Sequence, residues 1–160
     1  MKKLMALCVA ATLLHSCNKD DIVSVKFDKE TFLEQKQLWQ ASSHKDYQFQ
    51  IFIGGGFNSF YNGVITIENG DFKNELLLDE HSSSISCCFS IDVIYETIEK
   101  SFYEHHNKKK SDFYITEISV EYDKVNHIPI KVNFGYYASS GISVHLSDYT
   151  LSNFSKIEQN

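Results

Sequence analysis

Arginine is missing from this chain of 160 residues, and all 15 basic side chains are lysines. Bidentate clamping of a carboxylate or phosphate is chiefly arginine chemistry. Its absence speaks against a site of that kind, although a bias of genome composition accounts for it more simply. No C-x-x-C pair, no two histidines at i, i+4, no phosphate loop and no nucleophile elbow occur, which removes the usual signatures of thiol redox enzymes, helix-borne zinc sites, nucleotide binding and serine hydrolysis. No apolar run reaches the roughly 20 residues that cross a bilayer as a helix. Positive charge is scarce as well. After Ser16 there are 21 acidic residues against 13 lysines, since Lys2 and Lys3 of the 15 lie before it, a formal balance of −8. Such a domain repels phosphates and is not expected to bind nucleic acid.

Aromatics, by contrast, are plentiful, with 12 Phe and 9 Tyr in a chain that is 42 % apolar. Disordered chains lack such residues. The length suits one domain with a core that needs no disulfide staples.

The first residues read as a targeting segment. Lys2 and Lys3 precede an apolar stretch, Leu4 to Leu14, interrupted only by Thr12. Its length and flanks fit the hydrophobic region of a secretory signal. Leu14-His15-Ser16-Cys17 follows and resembles the lipobox of bacterial lipoproteins, with His15 departing from the usual residue at its position. The resemblance implies a signal peptide over 1–16, cleavage before Cys17 and diacylation of its thiol. The membrane would then be reached through lipid on Cys17, outside the cytoplasm, because two acyl chains anchor stably where one does not. Residues 17–26 are expected to form a lipidated tether, and 27–155 a single domain.

Within that domain, Asp28 is a good N-cap, and Phe27 and Phe32 have the spacing of a hydrophobic staple. A helix is expected to about Ala41, with Phe32, Leu38 and Trp39 toward the core. Asp46–Ile53 alternates as a half-buried strand and stops at Gly54-Gly55-Gly56. A strand over Tyr61–Glu68 and another over Phe72–Leu78 flank Asn69-Gly70, the strongest short hairpin signal. After a serine-rich loop, Ser90 caps a helix whose apolar stripe is Ile91, Ile94, Tyr95, Ile98 and Phe102. Strands follow over Tyr114–Tyr122, His127–Phe134 and Ile142 to about Tyr149. Pro129 suits an edge strand or a bulge. The order α-β-β-β-α-β-β-β, with runs of strands, predicts an α+β fold: an antiparallel sheet with two helices packed on one face. Trp39, Tyr47, Phe49, Ile67, Ile94, Ile98, Val120 and Ile130 are the expected core.

Trp39, Asp46-Tyr47-Gln48-Phe49, Ile67-Glu68-Asn69-Gly70, Ile91-Asp92, Val120-Glu121-Tyr122-Asp123 and Pro129-Ile130-Lys131-Val132 occur in that order. The arrangement resembles a family of small exported bacterial domains, domain of unknown function 6174, over roughly Gln37 to Tyr149. The resemblance implies an exported, often lipid-anchored α+β domain and no activity. Many members carry cysteines after the first strand; here Gly54-Gly55-Gly56 stands in that place.

Candidate chemistry is thin. Cys87 and Cys88 are adjacent; they could close a strained, reducible vicinal disulfide, bond a partner, or stay reduced. The histidines are scattered, and no metal or cofactor is expected. Glu117 and Glu121 share a strand face, but about 13 Å apart, too wide for carboxylates acting together on a glycosidic bond. Lys108-Lys109-Lys110 could touch anionic headgroups or simply be a solvated loop. Phe57, Phe60 and Tyr61 after the glycines, with Tyr136 and Tyr137 in a later loop, are the candidate binding aromatics. The expected function is a lipid-anchored extracytoplasmic protein that binds a protein or envelope component. An inhibitor of a secreted or host enzyme is the alternative, and a hydrolase or thiol redox enzyme is less well supported.

Overall fold

A computed structural model of the chain describes residues 21–42, 44–54, 61–73, 89–139 and 143–157. Helix α1 spans Lys29–Ala41 and α2 spans Ile91–His105; the strands are β1 (Tyr47–Gly54), β2 (Tyr61–Glu68), β3 (Asp71–Phe72), β4 (Phe113–Asp123), β5 (Ile128–Ala138) and β6 (Ser143–Lys156). They form one antiparallel sheet in the order β3-β2-β1-β6-β5-β4. The class and element order are those expected from the sequence. Among the described residues, no helix is long and apolar enough to cross a membrane.

Local chemistry starts each helix. The Asp28 carboxylate accepts from Thr31 N at 3.0 Å, satisfying one of the amides that a helix start leaves open. The rings of Phe27 and Phe32 lie 5.2 Å apart, so the staple forms. Ser90 Oγ accepts from Val93 N at 3.2 Å, and Asp92 in the first turn of α2 suits the helix dipole. Asn107, just beyond α2, takes φ of 59°, the left-handed position at which helices commonly stop.

Both helices cover one face of the sheet. Phe32 and Trp39 from α1, and Ile91, Ile94, Tyr95, Ile98 and Phe102 from α2, bury with Tyr47, Phe49, Ile51, Ile65, Ile67, Val132, Phe134 and Leu151. The whole α2 stripe is thus core. Leu38 is not: it is 39 % exposed, because it sits about 100° around the helix from its neighbour Trp39, and the indole takes the inward position. Val120 and Ile130 are half-buried at the margin of the core. Val120 lies on the outermost strand, and β6 pairs with β5 only from Lys131 onward, so each lacks a neighbouring strand on one side. The opposite face is open and largely polar, with Gln50 bonded to Asn62 and Asn153.

Two strands run past the ends read from the sequence. β5 continues through Gly135 to Ala138, so Tyr136 and Tyr137 stand in a strand and not in a loop. Gly135 lies beside a register shift, where a Cβ would meet Glu117 Cβ at 3.4 Å. β6 runs on to Lys156, past a bulge opposite Phe49 in which Asn153 takes φ of 54°. An extra residue there breaks the alternation that would have revealed the strand. Pro129 lies beside the bulge between Glu121 and Tyr122, at a point of β5 with which β6 does not pair, so both placements that its missing N–H permits apply. The described part of β3 ends at Phe72, and residues 74–78 of the expected strand lie outside the described ones.

The segment before α1 is part of the fold. Val23 and Val25 are 2 % and 5 % exposed, and Ile22 bridges Lys109 while Lys26 bridges Glu117. Residues 21–26 therefore belong to the domain and not to the tether in which the sequence reading placed them. Val23, Val25 and Phe27 alternate as an edge strand would.

The hairpin forms as expected: Glu68 pairs with Asp71, with Asn69 at φ 55° and Gly70 at φ 82° between them. Nothing lies within 4 Å of a Cβ placed on Gly70, so backbone strain alone decides the effect of substitution. Gly70→Val is expected to lower stability by about 1–2 kcal/mol, the left-handed penalty of an L-residue. Gly70→Asn should cost markedly less, since asparagine visits that region. Urea midpoints distinguish the two, and equal midpoints would show that residue 70 is not held at positive φ.

A candidate binding cleft on the edge of strand β4

β4 is the last strand of the sheet, and the described residues pair with only part of its outer edge. The segment before α1 meets it at Lys26, which bridges Glu117 in parallel. Lys26 N donates to Thr116 O at 2.8 Å, and Ile118 N donates to Lys26 O at 2.9 Å. At Asp28 the chain turns into α1 and leaves the edge. Because the Ile118 amide points away from β5, alternation points the amide and carbonyl of Val120 outward too. No described strand pairs with them there.

A cleft of about 230 Å³ occupies the gap. Lys26, Phe27, Asp28 and Thr31 form one wall; Glu117, Ile118, Ser119, Val120 and Tyr122 form the other. Lys26 Nζ lies 2.8 Å from Glu117 Oε1 across its mouth. That carboxylate raises the Lys26 pKa, first through the hydrogen bond and then through its charge. The Thr31 amide holds the Asp28 carboxyl below its ordinary value. Tyr122 Oη is buried and has no hydrogen-bond partner among the described residues. Burial, helped by the Asp28 charge, pushes this phenol up, so it stays protonated. A buried polar group without a partner is uncommon and calls for an explanation. The cleft thus offers an ion pair, an outward peptide group and a phenol, chemistry suited to holding an extended polar chain.

Of the candidates read from the sequence, Glu117 lines the cleft, whereas Tyr136 and Tyr137 lie away from it. Tyr137 stacks on Tyr114 at 5.0 Å on the open face, and half-buried Tyr136 stacks on Phe113 at 4.8 Å. Tyr114 is six residues from Val120 along β4, about 20 Å at strand rise. Tyr61 opens β2, but its side chain, with Cys17, Phe57, Phe60, Cys87 and Cys88, lies outside the described residues. Glu117 and Glu121 are each taken by a lysine, Glu121 lying 3.6 Å from Lys131. Several histidines are structural. His106 Nδ1 accepts from Val25 N at 3.3 Å and its ring lies 4.5 Å from Phe102, while His127 bonds Gln35. Among the described residues no three His, Cys, Asp or Glu side chains group so as to hold a metal.

No sequence signal marked the cleft, because an open edge follows from strand order and not from composition. The alternation of Val23 and Val25 was its one trace. Comparison of the chain with protein families, with curated proteins and with solved structures found no match.

Proposed function

We propose that this chain is a lipid-anchored extracytoplasmic binding module, and that the uncovered edge of β4 takes an extended segment of a protein partner as an added strand. The outward peptide group of Val120 carries the reading. It sits in a cleft that already holds one parallel neighbour, Lys26, at its lower end. A strand added there would continue the pairing that Lys26 begins, with main-chain hydrogen bonds supplying affinity and alternate side chains specificity. Tyr122 lines the same cleft, and its buried, protonated Oη is without a partner among the described residues, which supports the reading. The lipid anchor rests on Leu14-His15-Ser16-Cys17, and it would keep the cleft close to a membrane surface.

Val120→Pro tests the edge. Proline removes the outward N–H and sets a ring in its place, yet costs no bond to β5, so the fold is expected to persist. Peptides of about ten residues selected from a displayed library on the wild-type protein should lose about tenfold or more in affinity, at least the worth of one hydrogen bond. Val64→Lys, on the open face, should bind them as wild type does. Undiminished binding by Val120→Pro, or selection of no extended peptides, would overturn the reading.

A further inference from the structure

The end of the domain at which its N-terminal segment enters is also its basic, aromatic end. The loop after α2 is tied to the first described residues by backbone bonds. Lys110 N donates to Asp21 O at 2.7 Å, Val23 N to Lys108 O at 2.8 Å, and Asn107 N to Val23 O at 2.9 Å. Lys108 and Lys109 are exposed. Around them Ile22 is 45 %, Phe113 41 % and Tyr137 39 % exposed. Ile22 bridges Lys109 just ahead of β4, Phe113 opens β4, and Tyr137 pairs with Tyr114, so these side chains share one end of the sheet.

We infer that this end docks on a membrane surface, with Lys108 and Lys109 against anionic lipid headgroups and the exposed apolar side chains at the headgroup boundary. The inference rests on the proposed lipid anchor at Cys17. From Cys17 to Asp21 the chain spans at most about 14 Å, so the loop pinned to Asp21 cannot stray far from the lipid. Lysines beside aromatics are the side chains that settle at such interfaces. Asp21 and Asp112 flank the loop, but the three lysines outnumber them. The balance of −8 after Ser16 means that the same surface repels the rest of the domain, so attraction here and repulsion elsewhere turn the molecule the same way. At roughly fivefold per lysine near an anionic surface, Lys108 and Lys109 together favour this orientation about 25-fold. The cleft beside Val120 lies farther along β4, toward the opposite end, and would face away from the membrane.

The test uses the full-length protein purified from membranes, its acylation read from its mass, and reconstituted in phosphatidylcholine vesicles with or without phosphatidylglycerol. A water-soluble amine-acylating reagent then reports each lysine. On anionic vesicles Lys108 and Lys109 should react about tenfold or more slowly than on neutral ones, within the 25-fold preference expected from their charge. Lys124, in the turn at the opposite end, should not change, and salt at about 1 M should abolish the protection by shortening the screening length to about 3 Å. Acylated protein whose Lys108 and Lys109 react equally on both vesicles overturns the docking and leaves the anchor standing. Protein without acyl chains, as Cys17→Ala should be, overturns the anchor if wild type is the same. Wild type of that kind, lacking the anchor on which the docking rests, overturns the docking with it.

Discussion

Ile98→Ala is expected to lower stability by about 2–5 kcal/mol, the range for deleting a large aliphatic side chain from a core. Ile98 is 0 % exposed and lies in the middle of the α2 stripe, against the sheet. The loss has two parts: the apolar surface no longer removed from water, and a cavity that neighbouring rings cannot fill. Tyr95, Ile94 and Phe102 are bound to the same helix and cannot collapse into the space without shifting it. Glu96→Ala, on the exposed side of the same helix, should stay within about 0.5 kcal/mol. Urea denaturation followed by circular dichroism measures both. A cost below about 1 kcal/mol for Ile98→Ala would place the residue in the surface class and separate α2 from the core.

Trp39→Ala should cost about 3–5 kcal/mol. The indole is 3 % exposed and meets Tyr47 and Phe154 edge-on at 5.4 and 6.1 Å. Its Nε1 donates to Asp92 Oδ1 at 3.0 Å, tying α1 to the start of α2. Trp39→Phe separates packing from that bond. It keeps a ring among the same neighbours, and Asp92 is exposed enough for water to replace the lost donor, so about 1 kcal/mol is expected. If Trp39→Phe proved as damaging as Trp39→Ala, the hydrogen bond and not the packing would hold the helices together. Trp39 is the sole tryptophan, so in the wild-type protein its fluorescence reports the docking of α1 directly.

What could be read from the sequence was local. Asp28 and Ser90 announce helix starts because a side-chain oxygen satisfies an amide a few residues on, and Asn69-Gly70 announces a hairpin because few residues accept positive φ. The α2 stripe was legible to the last residue, since five apolar positions at helical spacing leave one way to bury them. The misreadings fall where pairing partners decide. Gly135-Tyr136-Tyr137 resembles a loop until Thr116 and Glu117 are seen close across from it. Asn153 hides the second half of β6 because a bulge breaks the period on which the reading depends. The candidate cleft exists because β4 is outermost and α1 departs at Asp28, and both are facts of strand order. Tyr136 and Tyr137, read from the sequence as loop aromatics, stack on Phe113 and Tyr114.

Strand β6 joins two meanders that do not pair with each other. β1 to β3 meet β4 and β5 only through it, and Tyr47 pairs with Lys156 near the end of the chain. Synthesised from its N-terminus, the chain cannot close its sheet until β6 has been made. Pairings so distant in sequence form slowly, because the intervening chain must first be brought together. On the proposal that the chain is exported, that delay would keep it open for passage through a translocation channel. The first meander and both helices can emerge from the ribosome without locking into a finished fold, and the closing strand is the last to arrive.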